Sequence, residues 1–262
     1  MLTLLIALIA LFLYMSAAFV IAVKRLDNGI ADSAYGGAFV LVAWTTYLLG
    51  FHSILGLIVC VLVSVWAVRL SARIITRNWN KPEDFRYAQW RKEWGDQVVQ
   101  KSFVRVFMLQ SLVIFVVSLP VTLLNVFGQE IGFGILSGFG LLLWIVGFTF
   151  ETLGDRQLDA FTKKTENHGK VMQTGLWKYT RHPNYFGESC IWWGLSLLAF
   201  DTLVYVTPLP VALFVFIGPL LITYLLLRVS GVPLLEARLE KNTEWAAYKQ
   251  KTSVFFPLPP KR

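Results

Sequence analysis

Residues 2–23 read LTLLIALIALFLYMSAAFVIAV and contain no charged side chain. About 20 apolar residues at 1.5 Å each suffice to cross a hydrocarbon core of about 30 Å, so this run is long enough to span a membrane. It has no basic residues before it and is longer than the apolar part of a signal peptide. We therefore expect a retained transmembrane helix.

Six further apolar runs follow, and the composition agrees with them. Hydrophobic residues make up 56% of the chain and charged residues 15%, whereas soluble domains carry about 25% charged residues. The sequence predicts an all-α integral membrane protein, a bundle of about seven transmembrane helices. The predicted spans are residues 2–23, 35–50, 54–72, 104–127, 133–153, 189–205 and 209–229.

Lysine and arginine are concentrated in two connections, residues 73–101 and 156–181. Basic loops of membrane proteins lie on the cytoplasmic side, so we predict the N-terminus outside, the C-terminus in the cytoplasm and a location in a bacterial inner membrane. The net charge of +8 then sets topology, and no nucleic-acid partner is expected. Residues 82–94 and the tail from Leu234 mix aromatic and charged residues, which is typical of cytoplasmic interfacial helices.

The stretch GLWKYTRHPNYFGE at residues 175–188 is the most informative motif. Proline favours the first helical position, so a helix is predicted to begin near Pro183. Its free N–H groups favour an anionic ligand. Asn184 and Glu188 are four residues apart and share a helix face, and Tyr185 adds a further polar group. Glu188 either orients a small polar ligand or forms a purely structural ion pair with Arg181 or another interfacial arginine.

A second polar cluster, Glu151 and Asp155 with the two residues that follow, is predicted at the end of the fifth span. The two acids are also one turn apart, so they project together. The alternative is an ordinary solvated helix end. No zinc-type set of histidines and cysteines and no glycine-rich phosphate loop is present, so no metal is predicted and any cofactor must be held by the helices.

The motif at residues 175–188 is preceded by Gly-Asp-Arg-Gln-Leu at residues 154–158 and followed by Ser-Gly-Val-Pro-Leu-Leu-Glu at residues 230–236. Together these motifs resemble an uncharacterised bacterial membrane family related to the C-terminal domain of steroid 5-alpha-reductase, in the superfamily of isoprenylcysteine methyltransferase. The likeness runs from about Glu151 to the C-terminus and extends more weakly to Arg86-Tyr87. The Arg-His-Pro portion alone also occurs in membrane methyltransferases.

The resemblance implies a single seven-helix membrane domain that binds NADPH from the cytoplasmic side. Residues 1–102 would form a three-helix part with a basic loop, and residues 103–262 a reductase-like part with the cofactor site. The implied reaction reduces a carbon–carbon double bond conjugated to a carbonyl in a lipid, steroid or polyprenyl substrate. It proceeds by hydride transfer to the β carbon and protonation of the α carbon.

The resemblance also implies roles for individual residues. Asn184 and Glu188 would contact the nicotinamide, and Asp155 would line the cofactor pocket. The other expected cofactor-binding residues are Glu151, Arg181, Lys163, Lys164, His182 and Tyr185, with the lysines and Arg181 neutralising phosphates. The catalytic candidates are Glu188, Tyr87 and Tyr179; the tyrosine–glutamate pair of the animal enzymes has no secure counterpart in this chain.

Two other functions stay open at this point. One is an S-adenosylmethionine-dependent methyltransferase, in which the corner at Arg181, His182 and Pro183 would hold the cofactor carboxylate. The other is a non-catalytic membrane scaffold. The expected partners are an apolar small molecule and membrane lipids, and the sequence does not define the oligomeric state.

Overall fold

A computed structural model describes residues 1–79 and 81–261, and these are almost entirely helical. Within them, the strand-like pairing is a single parallel bridge between Thr180 and Ser253. Two π-helical segments, Phe103–Met108 and Leu225–Val229, join neighbouring helices. The α-helices are α1 (Leu2–Arg25), α2 (Ile30–Leu48), α3 (Ile54–Asn78), α4 (Phe85–Trp94), α5 (Val98–Ser102), α6 (Leu109–Val117), α7 (Leu119–Phe127), α8 (Ile135–Thr162), α9 (Pro183–Val206), α10 (Leu209–Leu213), α11 (Ile217–Tyr224), α12 (Val232–Leu239) and α13 (Thr243–Lys251).

Six helical stretches in the described part of the chain are long and apolar enough to cross a membrane. The prediction of an all-α integral membrane protein is therefore confirmed. Both segments predicted as interfacial are helical, as α4 and as α12 with α13. The six stretches are Leu2–Arg25, Ile54–Asn78, Phe85–Val117, Ile135–Thr162, Pro183–Val206 and Leu209–Leu239.

The second predicted span, residues 35–50, differs from the other six. It forms α2, but this helix of 19 residues is not among the membrane-crossing candidates. Its first turn carries Asp32 and Ser33, and two glycines follow, which lowers its hydropathy. It packs against both α1 and α3, and its buried residues face these helices.

The helices divide into two compact units, and the first comprises Met1–Gly134 and Ala199–Ile217. Its core is aromatic, with Phe39 packed edge-on against Trp66 at 5.3 Å between ring centroids. A buried amide joins two helices, because Asn125 of α7 donates to the Ala43 carbonyl of α2 at 3.1 Å and to the Thr46 hydroxyl at 3.0 Å. These hydrogen bonds of the Asn125 Nδ2 group stabilise the pairing of α2 with α7.

The second unit comprises Ile135–Leu198 and Gly218–Arg262, with Arg262 itself outside the described residues. Its helix α9 begins at Pro183, which confirms the helix start read from the sequence. Helix α8 ends at Thr162, nine residues beyond the predicted end of the fifth span at position 153. Glu151 and Asp155 therefore lie inside α8, and their position at the end of the fifth membrane span stays a prediction.

Glycines at seven-residue intervals set the distance between α8 and α9. A Cβ atom at Gly147 would lie 2.5 Å from the carbonyl oxygen of Gly187, and one at Gly140 would lie 2.6 Å from that of Gly194. Seven residues make nearly two turns, so each set of glycines lies on one helix face. The two backbones approach so closely that a larger residue does not fit, as in other glycine-mediated membrane helix pairs.

We expect Gly147→Ala to destabilise the protein, because the new methyl group meets backbone atoms that cannot rotate away. The cost of such overpacking is about 1–3 kcal/mol. Gly138 of the same helix has no heavy atom within 4 Å of a Cβ built on it, so Gly138→Ala should stabilise by up to about 1 kcal/mol through helix propensity. Thermal unfolding in detergent compares the two variants; equal shifts of the midpoint would contradict the packing described.

Candidate functional site

The close approach of α8 and α9 brings together the two clusters predicted from the sequence. The acidic cluster of α8 contains Glu151 and Asp155, and the polar cluster of α9 contains Asn184 and Glu188. A Cβ built on Gly187 would lie 2.5 Å from the backbone nitrogen of Glu151 and 2.8 Å from its Cβ. Glu188 follows Gly187 directly in the chain. Glu151 of α8 is therefore level with the second turn of α9.

One turn further along α8, the same packing reaches the start of α9. A Cβ built on Gly154 would lie 3.0 Å from Cγ of Pro183 and 3.3 Å from the backbone nitrogen of Asn184. Asp155 follows Gly154, so this second acid is level with Asn184. Residues that lie about thirty positions apart in the sequence thus come together at the beginning of α9.

The two acids of α8 are buried, with 2% of Glu151 and 3% of Asp155 exposed. A solvated helix end, the alternative considered for this cluster, does not describe them. Burying a carboxylate is costly unless it is paired or used. Their burial at the level of a polar helix start makes this face the strongest candidate site in the second unit.

Asn184 contributes an amide whose oxygen Oδ1 is buried and has no hydrogen-bond partner among the described residues. Nearly all buried polar atoms in proteins are paired, so this atom suits a hydrogen-bond donor on a bound molecule. Glu188, on the same face, is half-buried. The ring of Tyr185 stacks on the imidazole of His182, with centroids 5.3 Å apart and planes 7° apart.

Arg181 lies immediately before the helix start and is held by protein groups. Its Nε and Nη2 donate to the two carboxylate oxygens of Glu236 at 2.8 and 3.4 Å. Its Nη1 donates to the carbonyls of Lys249 and Thr252 at 3.0 and 2.8 Å, and its guanidinium lies 5.7 Å from the ring centroid of Trp245. These contacts direct the side chain toward α12 and α13.

His182 shares the same carboxylate, with Nε2 lying 3.0 Å from Oε1 of Glu236. A carboxylate accepts, so Nε2 carries the hydrogen and Nδ1 is an acceptor. Burial lowers the pKa of His182, an effect that Glu236 opposes and Arg181 reinforces. The imidazole is therefore neutral near pH 7, and Nδ1 has no hydrogen-bond partner among the described residues.

The C-terminal tail is fastened to the segment before α9. The backbone N–H of Arg181 donates to the Ser253 carbonyl at 2.9 Å, and that of Leu258 donates to the Tyr179 carbonyl at 3.0 Å. Tyr248 donates its hydroxyl to the Trp177 carbonyl at 2.5 Å. The tail thereby fixes the backbone that leads into Pro183 and Asn184.

The remaining predicted site residues lie elsewhere. Lys163 and Lys164 are exposed just beyond the end of α8, and Lys164 lies 3.8 Å from Glu166. Tyr179 is 42% exposed. Tyr87 belongs to the first unit, where it is 6% exposed and donates its hydroxyl to Asp32 of α2 at 2.8 Å.

Sequence reasoning gave no role to Glu236, Trp245 or Tyr248, which complete the environment of Arg181 and His182. The sequence indicated Glu236 only as the last residue of the motif at residues 230–236 and predicted no partner for it. It lies 55 positions from Arg181, and no local periodicity links residues so far apart. The one available signal was an acidic residue next to apolar ones at a predicted interface, which requires a basic partner.

We expect Arg181→Ala to destabilise the protein by about 3–5 kcal/mol, because it leaves the buried carboxylate of Glu236 without its main partner. Arg156, which is exposed on α8, provides the control, and Arg156→Ala should change stability by less than about 0.5 kcal/mol. The double variant Arg181→Met with Glu236→Leu should recover much of the loss. Thermal unfolding measures all three, and equal stability of the two arginine variants would contradict this role.

Stability should also depend on pH through His182. Because its folded-state pKa lies below the ordinary value of about 6.5, the unfolded state binds more protons in the interval between the two values. Its contribution is complete above that interval and is lost as the pH falls through it. The unfolding midpoint should therefore drop as the pH falls below about 6.5. His182→Gln should reduce the drop and the exposed His168→Gln should not; the reverse pattern would exclude His182.

The sequence is similar to two curated proteins. It is 24% identical over 227 residues to "Uncharacterized protein C594.04c" of Schizosaccharomyces pombe, a match of 77% of this chain and 63% of the yeast protein. It is 34% identical over 62 residues to "3-oxo-5-alpha-steroid 4-dehydrogenase 1" of Mus musculus, 24% of each chain. No solved structure matches.

These relatives are eukaryotic, so they do not support the expected bacterial source, which stays a prediction. A match to a protein family covers more of the chain than either of these two matches. Residues 18–252 match the family described as "Protein of unknown function (DUF1295)", which is steroid 5-alpha-reductase-like. Because the match covers most of the sequence, the chain belongs to this family.

Proposed function

We propose that this protein is a membrane reductase that binds NADPH along the α8–α9 face and reduces a carbon–carbon double bond conjugated to a carbonyl. Membership of a steroid 5-alpha-reductase-like family supports the reaction class. The name of the mouse relative, 3-oxo-5-alpha-steroid 4-dehydrogenase 1, describes a dehydrogenase of 3-oxo steroids. An apolar substrate such as a steroid, polyprenyl or other lipid enone suits a protein built from membrane helices.

The observation that carries the proposal is the amide of Asn184, whose buried Oδ1 has no partner among the described residues. A nicotinamide carries a carboxamide whose N–H groups can donate to such an atom. The neighbouring carboxylates of Glu151, Asp155 and Glu188 provide further acceptors for ring or ribose groups. The residues present therefore fit the nicotinamide end of the cofactor.

The carboxyl groups of α8 also support placing the nicotinamide end of the cofactor, rather than its phosphates, beside this helix. NADPH, when bound, would supply the hydride for the reduction. The carboxyl groups of Glu151 and Asp155 lie close to the proposed nicotinamide position, and polar groups fixed in a dry site can stabilise charge that develops there. The protein thus contributes placement and electrostatics, while the cofactor contributes the chemistry.

The phosphate end needs positive groups at the edge of the site. Arg181 is engaged with Glu236 and two carbonyls, so we propose that the exposed Lys163 and Lys164 provide this charge. The N–H groups at the start of α9 add a favourable dipole. Both sets belong to connections proposed to face the cytoplasm, where NADPH is available.

The three catalytic candidates differ in their surroundings. Tyr87 already donates its hydroxyl hydrogen to Asp32, which suits a role in holding α4 against α2. Tyr179 is exposed and its backbone anchors the tail. Glu188 lies one turn after Asn184 on the same face of α9, which supports it as the candidate closest to the proposed nicotinamide position.

The methyltransferase alternative relied on Arg181 to bind the carboxylate of S-adenosylmethionine. That guanidinium is 8% exposed and already pairs with the carboxylate of Glu236. A second carboxylate would have to displace Glu236 from a buried pair, which is energetically costly. The geometry therefore favours the reductase.

We expect NADPH to raise the unfolding midpoint of the purified protein and S-adenosylmethionine to leave it unchanged, since a ligand of the native state stabilises it. Asn184→Ala should weaken NADPH binding by about tenfold, the equivalent of one lost hydrogen bond in a buried site. Gln173→Ala removes an exposed amide and should have no effect. Stabilisation by S-adenosylmethionine alone, or unchanged NADPH affinity in Asn184→Ala, would contradict the proposal.

A further inference from the structure

In the first unit, α5, the π-helical segment Phe103–Met108 and α6 form part of one continuous membrane-crossing stretch, Phe85–Val117. Its exposed apolar side chains follow one side: Val104 and Leu109 are each 54% exposed and Leu112 is 60% exposed. The opposite side packs within the unit, where the ring centroid of Phe107 lies 5.4 Å from that of Phe19 on α1. Exposed apolar side chains on a spanning helix contact lipid, so we call Val104, Leu109 and Leu112 the lipid-facing stripe.

The lipid-facing stripe begins with two cations. Lys101 and Arg105 are four residues apart and therefore share a helix face, and Arg105 continues on that face to Leu109 and Leu112. Arg105 is exposed and Lys101 is half-buried. Arg105 also belongs to the π-helical segment, a local distortion that is frequent at functional sites. The stripe thus combines an apolar length with a positively charged end.

Neither of these cations forms an ion pair within the part of the chain that the structure describes, whereas both arginines of the preceding helix α4 do. The Nη2 atom of Arg86 lies 3.1 Å from Oδ2 of Asp32, and that of Arg91 lies 2.8 Å from Oε1 of Glu83. The first unit supplies carboxylates for the arginines of α4 and none for the two cations of the stripe. Their charge is therefore available to a group outside the chain.

The position of Arg105 along the stretch matches the headgroup region of a membrane. Residues 109–127 contain no charged side chain and at 1.5 Å each span about 28 Å, close to the hydrocarbon thickness of about 30 Å. Arg105 precedes this run by one turn, about 6 Å, which falls within an interfacial layer of about 5–8 Å. Trp90 and Trp94 of α4 stack with their ring centroids 5.6 Å apart, and tryptophans are enriched at the same interface.

We propose that Lys101 and Arg105 bind the phosphate of an anionic phospholipid, whose acyl chains lie along the lipid-facing stripe. A guanidinium matches the geometry of phosphate oxygens, and a lysine one turn away adds a second positive charge. A zwitterionic lipid has the same phosphate but carries an ammonium group that opposes this second charge. The pair therefore favours lipids of net negative charge, and the inference does not depend on the reductase activity.

Native mass spectrometry of the delipidated full chain in detergent measures this preference. Dioleoyl phosphatidylglycerol should bind about tenfold more tightly than dioleoyl phosphatidylcholine, because each cation near the surface favours an anionic lipid. Arg105→Gln should weaken phosphatidylglycerol binding about fivefold, whereas Arg105→Lys keeps the charge and should retain most of it. Lys241→Gln removes the same charge from an exposed residue between α12 and α13 and should change binding less than about twofold.

Thermal unfolding in nanodiscs separates lost lipid binding from a folding defect. Phosphatidylglycerol nanodiscs should raise the unfolding midpoint above that in phosphatidylcholine nanodiscs, since a ligand of the native state stabilises it. Arg105→Gln should reduce this difference and should match the original chain in phosphatidylcholine, because the side chain is exposed. A lower midpoint of Arg105→Gln in phosphatidylcholine, with an undiminished difference between the two lipids, would contradict the proposal.

Three further outcomes would overturn the proposal. Equal affinity for the two phospholipids would mean that the cations do not select charge. An equal loss of binding in Arg105→Gln and Lys241→Gln would assign the preference to the net charge of the protein. Displacement of phosphatidylglycerol by NADPH or by glycerol 3-phosphate would assign the pair to a soluble phosphate ligand. Retention of the lipid in the presence of either compound is the expected result.

Discussion

The glycine-mediated contact between α8 and α9 is the constraint on which the candidate site depends. Gly140 and Gly147 meet the carbonyls of Gly194 and Gly187 at distances that exclude a side chain. This contact fixes the level of one helix against the other, because shifting either helix by one residue would place a larger side chain at the crossing. Glu151 is thereby held level with Gly187 and Glu188. The polar face is a consequence of small residues that have no chemistry of their own.

A second constraint comes from the chain before α9. Arg181 and His182 converge on Glu236, and the tail hydrogen-bonds to the same segment. A guanidinium buried with its carboxylate adds less to stability than its contacts suggest, since desolvation offsets much of the attraction. The main effect of the Arg181–Glu236 pair is to position the backbone. It sets where the backbone enters α9 and therefore where the amide of Asn184 points.

Much of the fold could be read from the sequence because lipid imposes a simple rule: a long uncharged run must form a helix. The start of α9 at Pro183 followed from the missing N–H of proline. The end of α8 could not be read in the same way. Polar residues after position 153 indicated the end of the apolar span, whereas the helix itself continues to Thr162 and keeps Glu151 and Asp155 buried.

The candidate site was only partly predictable for a related reason. Asn184 and Glu188 belong to one motif and share a face by helical periodicity alone. The pairing of Arg181 with Glu236 depends on how α12 folds back, which no local pattern contains. The sequence therefore suggested a phosphate ligand for a guanidinium that the fold directs to a carboxylate.

The most direct measurement is an experimental structure of the full chain in nanodiscs with NADPH bound. Our account predicts nicotinamide density at the start of α9, with its carboxamide within hydrogen-bonding distance of the Asn184 side chain and the ring beside the carboxylates of α8. Cofactor density away from this face, or an Asn184 side chain directed into lipid, would contradict it.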